Sequence, residues 1–243
     1  MLIQPTVEKL YGLRLGAMAL AYQEQEKDAQ LGSLSFTERF AMLVDAEHVS
    51  RDNRRIKALL KDAELRIADA CLEDVDASAQ RGIDKGMLRQ LQTCAWVDQN
   101  LNVLITGMTG TGKSYIACAL GQAACRRGLR VSFRRMPRLF EELALAKADG
   151  TYTKVLRKLG RAQLLILDDL GLGNPTEAQR HDLLEVLEDR YGARATVVTS
   201  QLPRENWHEW IGDPTVADAI LDRLVHNAYK LELQGPSRRK TKP

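Results

Sequence analysis

The chain has 243 residues, of which 44% are hydrophobic and 28% are charged, and its formal net charge is +3. This length suits one medium domain and a smaller one, and so small a net charge does not indicate a partner. The four cysteines form no C-x-x-C pair and share no metal-binding spacing with the four histidines, so neither a zinc site nor a disulfide framework is expected. The N-terminus lacks a signal pattern, and no apolar stretch approaches the ~20 residues that span a bilayer. We therefore expect a soluble cytoplasmic protein.

The first part of the chain, residues 1–95, is predicted to be helical because it is rich in Ala, Leu, Glu, Arg and Lys. Ser35 and Glu38 have the spacing of a capping box at a helix start. Apolar residues then recur at helical spacing, which predicts one long helix, or two that meet at the polar stretch 50–53. The segment 73–84, EDVDASAQRGID, breaks this pattern and is predicted to be a linker.

From about residue 101, short apolar runs alternate with helical segments. Such alternation predicts a parallel sheet with helices on both faces. We expect this α/β domain to occupy 96–233, after a small all-helical domain over 1–95 and before a basic tail at 234–243. The predicted strands are NVLIT, RVSFR, LLILD, ATVVT and YKLEL, and the predicted helices are 113–126, 137–148, 152–159, 176–191, 203–211 and 214–227.

The segment GMTGTGKS, residues 107–114, fits the phosphate-binding pattern G-x-x-x-x-G-K-[ST] between a predicted strand and a predicted helix. Its glycines allow the backbone N–H groups to surround an anion at the helix N-terminus. Lys113 is predicted to reach the β- and γ-phosphates, and the Ser114 hydroxyl to reach Mg²⁺. A chance glycine-rich turn is the alternative, and this context disfavours it. The predicted nucleotide-binding residues are Gly107, Thr109, Gly110, Thr111, Gly112, Lys113, Ser114 and Tyr115.

Two adjacent carboxylates, Asp168 and Asp169, follow the apolar run LLIL. A phosphate-binding loop needs an acidic side chain at the end of a second strand to hold Mg²⁺, and we predict this role for Asp168. Asp169 is predicted to orient and deprotonate the attacking water. A solvated acidic turn is the bland alternative. Asp168 to Gly171 also fits the D-x-x-G of GTPases, but the guanine-reading N-K-x-D is absent from the chain, which favours ATP.

Two further sites are candidates for the same reaction. Gln201, or Thr199 near it, ends another predicted strand, where it could contact the γ-phosphate or the attacking water. Arg223 lies on a predicted amphipathic helix and is either a solvated surface residue or a finger that reaches the ATP of a neighbouring subunit.

Basic clusters are the candidates for contacts with DNA phosphates. Most such runs are solvated faces, so composition alone leaves both readings open for each cluster. The predicted DNA-binding residues are Arg51, Arg54, Arg55, Lys57, Lys61, Arg134 and Arg135.

The segments NVLITGMTGTGKSYIA, LLILDDLGLG, VVTSQLP, AILDRLVHNAYKLEL and GPSRRK occur in this order. Together they resemble the IstB-type helper ATPases of insertion-sequence transposition, relatives of the DnaC helicase loaders within the AAA+ class. The N-terminal segment SFTERFAMLVDAEHVSRDNRRIKALLKDAELR is also similar to the helical domain of the IstB type, so the resemblance covers nearly the whole chain.

The resemblance implies an ATPase that assembles side by side on duplex DNA with ATP at subunit junctions, deforms the DNA and recruits a transposase. It assigns the arginine finger to Arg223 and a second phosphate-contacting arginine to Arg239, with the adjacent Arg238 leaving the register open. It also implies that no helical lid follows the fifth strand. Asp169 stands where many AAA+ proteins have Glu, which suggests slow turnover. A helicase loader and a small-molecule kinase are the alternatives.

Overall fold

The structure is a computed structural model that describes residues 3–237. The chain divides into two compact units, Met1–Ala58 and Leu59–Pro243. None of the described helices is both long and apolar enough to pass through a membrane.

The first unit is helical, as predicted. It contains α1 (Ile3–Gly12), α2 (Gly16–Gln25) and most of α3 (Phe36–Ala63), which continues without a break through residues 50–53. The capping box is confirmed, since the Ser35 backbone N–H donates to the Glu38 carboxylate (2.8 Å) and the Glu38 N–H donates to the Ser35 hydroxyl (3.3 Å).

The second unit is built on the predicted parallel sheet. Its five strands have the order β2-β3-β4-β1-β5, and every neighbouring pair is parallel. The carboxyl ends of parallel strands therefore lie at one edge of the sheet, which is where ligands bind in such folds. The strands are β1 (Asn102–Gly107), β2 (Val131–Arg135), β3 (Leu164–Leu170), β4 (Ala195–Ser200) and β5 (Ala228–Leu233).

Helices cover both faces of the sheet. Successive side chains of a strand point to opposite faces, and in this sheet the side chains on both faces are apolar. In β3, Leu164 and Ile166 enter one core with α6, whereas Leu165 and Leu167 enter the other with α7 to α11. The helices are α4 (Lys85–Gln92), α5 (Ala95–Asp98), α6 (Lys113–Arg126), α7 (Met136–Ala148), α8 (Tyr152–Arg161), α9 (Glu177–Glu188), α10 (Trp207–Ile211) and α11 (Pro214–Val225).

The division between the units lies earlier than the boundary expected at residue 95. Residues 59–95 contribute Leu72, Leu91 and other apolar side chains to the core that also contains α6, so this stretch packs with the sheet. The expected linker, 73–84, overlaps one short 3-10 turn, Leu72–Asp74, and contains another, Ala79–Arg81. Helical periodicity reveals an apolar face, but it does not reveal which element covers that face.

Candidate nucleotide-binding site

The phosphate-binding loop joins β1 to α6, as the sequence predicted. The φ values of Gly107, Gly110 and Gly112 are 146°, 86° and 95°, in a region of backbone conformation that residues with a Cβ rarely adopt. The buried Lys113 ammonium donates to the carbonyl oxygens of Gly107 (2.7 Å) and Met108 (2.9 Å). The loop therefore curls around its own lysine, with the N-terminus of α6 facing the position of an anion.

Two elements distant in sequence pack against this loop. The Arg81 guanidinium donates to the Thr111 carbonyl. A Cβ added to Gly110 would lie only 3.1 Å from the Cα of Ser237. The chain that follows β5 therefore returns to the phosphate-binding loop, and glycine at position 110 permits this close approach.

Asp168 is fully buried at the end of β3, where two hydroxyl groups donate hydrogen bonds to its carboxylate and an arginine lies nearby. Its Oδ1 accepts hydrogen bonds from the hydroxyls of Ser114 (2.8 Å) and Thr199 (2.7 Å), and its Oδ2 lies 3.4 Å from Arg66 Nη1. The carboxylate and the Ser114 hydroxyl are hard oxygen ligands of the type that Mg²⁺ prefers. These residues fit a magnesium ion.

Asp169 reaches the same place because β3 contains a bulge. The three steps of β3 from Leu167 to Leu170 oppose the two steps of β4 from Val198 to Ser200, and Asp169 has a φ of 65°. A regular strand would direct adjacent side chains to opposite faces, and an extra residue re-aims one of them. The bulge therefore explains how two adjacent carboxylates face one site.

Both carboxylates of this pair contact arginines. Asp169 Oδ2 accepts hydrogen bonds from Arg135 Nε (3.1 Å) and Nη2 (2.8 Å), and it lies 3.8 Å from Arg66 Nη1. These cations offset the repulsion between the neighbouring carboxylates of Asp168 and Asp169.

A cleft of about 530 Å³ connects the loop with the acidic pair. Gln201 lies beside the loop, because its side-chain oxygen accepts a hydrogen bond from the Thr109 hydroxyl (2.7 Å). Arg66, Ile67 and Tyr115 also line the cleft. Sequence reasoning missed Arg66, Ile67 and Arg81, since no motif marks them and they lie far from the loop in sequence.

Arg223 lies at the opposite end of β1 from the loop. Its backbone carbonyl accepts a hydrogen bond from the side chain of Asn102 (2.9 Å), the first residue of β1. The loop begins at the other end of this strand, roughly 16 Å away at ~3.3 Å per residue. The Arg223 guanidinium pairs with Glu188 and lies 5.7 Å from the ring centroid of Tyr191. Arg238 and Arg239 lie outside the described residues.

Comparison with known proteins identifies the family. The family described as IstB-like ATP binding protein matches residues 8–243. The chain belongs to this family. An insertion-sequence ATP-binding protein of Sinorhizobium fredii is 49% identical over 240 residues, covering 99% of this chain and 98% of the relative. One of Pseudomonas fluorescens is 46% identical over 203 residues, covering 84% and 88%.

Solved structures share the fold of this IstB-like chain. The DnaC helicase loader has a TM-score of 0.55 at 20% identity, over 68% of this chain and 97% of that one. DnaA of Aquifex aeolicus, bound to AMPPCP, has a TM-score of 0.57 at 17% identity, over 70% and 51%. The protein is accordingly an ATPase with the AAA+ fold, and the expected fold class is confirmed.

The predicted DNA-binding residues differ in what they contact. Arg51 and Arg54 pair with the buried Glu47, at 2.8 Å and 3.4 Å. Arg134 is itself buried, and its guanidinium is held by Glu64 (2.8 Å) and Glu142 (3.0 Å). Arg134 and Arg135 are thus held by carboxylates of the protein, whereas the other predicted DNA-binding residues are exposed. These exposed members are Arg51, Arg54, Arg55, Lys57 and Lys61.

Proposed function

We propose that the protein is an ATP-dependent helper of insertion-sequence transposition. In this proposal it assembles on duplex DNA with ATP between neighbouring subunits, remodels the DNA and recruits the cognate transposase. Hydrolysis then disassembles the complex. The relatives described above are named insertion-sequence ATP-binding proteins, which supports this context. Action on genomic DNA would place the protein in the cytoplasm.

The geometry around the phosphate-binding loop supports definite roles in hydrolysis. The loop N–H groups and Lys113 bind the phosphates, and Ser114 with Asp168 holds Mg²⁺, which supplies positive charge when it is bound. Asp169 takes a proton from the water that attacks the γ-phosphorus, the bond to the ADP oxygen breaks, and ADP and phosphate leave. Gln201 contacts the γ-phosphate or this water. The Thr199 hydroxyl donates to the Asp168 carboxylate and accepts a hydrogen bond from the Asp169 backbone N–H, and so helps to position both residues.

The observation that carries the proposal is the separation of Arg223 from the loop of its own subunit. An arginine at the opposite end of β1 cannot stabilise the charge that develops on its own nucleotide. In this proposal the Arg223 of a neighbouring subunit stabilises the charge that develops on the γ-phosphate, and such a residue contributes ~10³–10⁵-fold in rate where it operates. This favours assembly with ATP at the junction.

The chain after β5 and the helices of the first unit supply the remaining roles. The approach of Ser237 to Gly110 brings the end of the described chain to the loop, which supports a phosphate contact by Arg239 two residues later. We assign DNA contacts to the exposed basic residues of α3. The other helices of the first unit, α1 and α2, are our choice for the transposase contact.

Light scattering tests the assembly directly. Wild-type protein with both ATP and duplex DNA should form a large complex that dissociates as ATP is consumed, and Asp169→Ala should trap that complex. Asp189→Ala, which removes an exposed carboxylate at the end of α9, is the matched control and should behave as wild type. A protein that stays monomeric under all conditions contradicts the proposal. Assembly only on a replicative helicase would indicate a loader instead.

A further inference from the structure

Helix α8 has two chemically opposite faces. Leu156 and Leu159 are buried in the core, and Tyr152 and Val155 pack against them. The exposed face carries only positive charge, and the helix YTKVLRKLGR contains no acidic residue. Its cations recur at the i, i+3, i+4 and i+7 spacing of one helix face, and they are Lys154, Arg157, Lys158 and Arg161.

This face forms one wall of a groove of about 710 Å³ beside the edge strand β2. Arg130, the residue before β2, also lines the groove and adds a fifth exposed cation. Two acids also line the groove, Asp62 and Glu142, but Glu142 already accepts a hydrogen bond from Arg134 at 3.0 Å. We call these five cations and the space between them the α8 groove.

The cations of the α8 groove form no ion pair with the part of the protein that the structure describes. Within residues 3–237, none of the five has an acidic side chain within ion-pair distance, whereas Arg51 and Arg138 on other exposed helices each pair with a glutamate. Ordinary solvated surfaces intersperse charges of both signs, and like charges at i and i+4 destabilise a helix. A one-sign row beside a groove therefore indicates an anionic ligand.

We propose that the α8 groove binds the phosphate backbone of duplex DNA, a proposal that rests on the DNA-dependent function above. Seven residues of helix separate the first and last cation of the row, a length of about 10 Å. Duplex DNA presents one phosphate for every ~1.7 Å of helix axis when both strands are counted, so a row of this length can contact at least two phosphates. The insertion-sequence context of the relatives favours nucleic acid over an acidic protein segment as the ligand.

Charge reversal on α8 tests the proposal. The double variant Lys154→Glu/Arg157→Glu leaves the apolar face intact and keeps good helix formers. Binding of full-length protein to a 30-base-pair duplex is measured by fluorescence anisotropy, with a non-hydrolysable ATP analogue and Mg²⁺, over a series of salt concentrations. We expect about tenfold weaker binding or more, and a salt slope reduced by about 2, one for each lost phosphate contact.

The matched control is Lys85→Glu/Arg89→Glu on α4, which makes the same change in net charge on exposed residues outside the groove. It should bind DNA within about twofold of wild type. Equal weakening in both variants would mean that only net charge matters, and would overturn the proposal. An α8 variant that binds DNA as tightly as wild type would also overturn the proposal. Polyglutamate serves as a probe for an acidic protein ligand, and a variant that keeps its DNA affinity but loses binding to polyglutamate would indicate such a ligand instead.

A second measurement does not depend on how assembly affects affinity. A photo-crosslinking p-benzoylphenylalanine replaces Arg157 in one sample and Arg89 in another. Crosslinks to DNA are expected from position 157 and not from position 89, and the reverse result contradicts the assignment. The failure of this inference is distinguishable from failure of the proposed function. If wild type binds no duplex, the function fails, whereas binding that is insensitive to the α8 groove removes only the inference.

Discussion

Arg135 holds the carboxylate that we assign as the base for hydrolysis. Its two hydrogen bonds to Asp169 Oδ2 occupy an oxygen that would otherwise accept the proton of the attacking water. We therefore expect Arg135→Ala to raise basal ATP turnover roughly tenfold. A positioned general base contributes ~10²–10⁴-fold in rate, and freeing Asp169 from Arg135 should recover a small part of that. Phosphate release at saturating ATP and Mg²⁺, without DNA, measures this. DNA affinity, measured in parallel, should change little, because Arg135 is already engaged with Asp169.

Arg138 provides the control for this change. It lies in the first turn of α7, is exposed, and pairs only with Glu141 among the described residues. Arg138→Ala should leave turnover unchanged. If Arg135→Ala instead reduces turnover to the level of Asp169→Ala, then Arg135 supports the active geometry of Asp169 and does not restrain it.

At the residue scale, local motifs were predictable and distant partners were not. The loop and the acidic pair are contiguous in sequence, so spacing alone locates them. Arg66 meets Asp168 across 102 positions, and nothing in the local sequence distinguishes it from other arginines. Arg135 was assigned to DNA for the same reason, since its charge is visible in the sequence and the carboxylate that binds it is not.

At the scale of elements, the strands and most helices were predicted because each carries its own periodicity. All five apolar runs form strands, and the helix predicted at 113–126 has the same bounds in the structure. The 203–211 helix begins as a 3-10 turn at Arg204–Asn206 and continues as α10. The allocation of 59–95 to a domain was harder, because it depends on tertiary packing. The bulge in β3 also has no sequence signal apart from the adjacent aspartates.

Arg190 connects three elements and should contribute strongly to stability. It is 1% exposed, and its guanidinium donates to Leu159 O (2.7 Å), Ala162 O (2.9 Å), Ala195 O and the Thr196 hydroxyl (3.1 Å). These groups end α8 and begin β4. Burial lowers the pKa of Arg190 to about 9, so it remains charged at neutral pH. Arg190→Ala should lower the free energy of unfolding by about 3 kcal/mol or more, because buried carbonyls lose their donor.

Chemical denaturation of the full chain measures this loss. Arg194→Ala is the control, because Arg194 is exposed and its side chain bonds only the neighbouring Ala193 carbonyl among the described residues. It should change the free energy of unfolding by no more than about 0.5 kcal/mol. Similar effects of the two substitutions would show that the buried network contributes little. ATP-binding affinity is a useful second readout, since Arg190 lies outside the nucleotide cleft and should not alter it.

At the scale of the whole molecule, the parallel sheet separates the two halves of the proposed active site. Strand β1 has the phosphate-binding loop at its carboxyl end and contacts the Arg223 backbone at its amino end. A single chain therefore offers a nucleotide site on one side of the sheet and an arginine on the other. Repeating this arrangement side by side would complete one site at each junction.

This arrangement predicts that two inactive variants restore activity when they are mixed. The Asp169→Asn variant still supplies Arg223 to a neighbour's site, and the Arg223→Ala variant still has Asp169 in its own site, so each variant alone should be nearly inactive. When the two are mixed at random, about a quarter of the junctions combine an intact Asp169 with an intact Arg223. Steady-state ATP hydrolysis with DNA, on an equimolar mixture, should therefore recover about a quarter of wild-type turnover. Glu188→Ala is the control, since it removes the same ion pair but keeps the arginine, and it should stay active. A mixture no more active than its components would mean that Arg223 does not act across a junction.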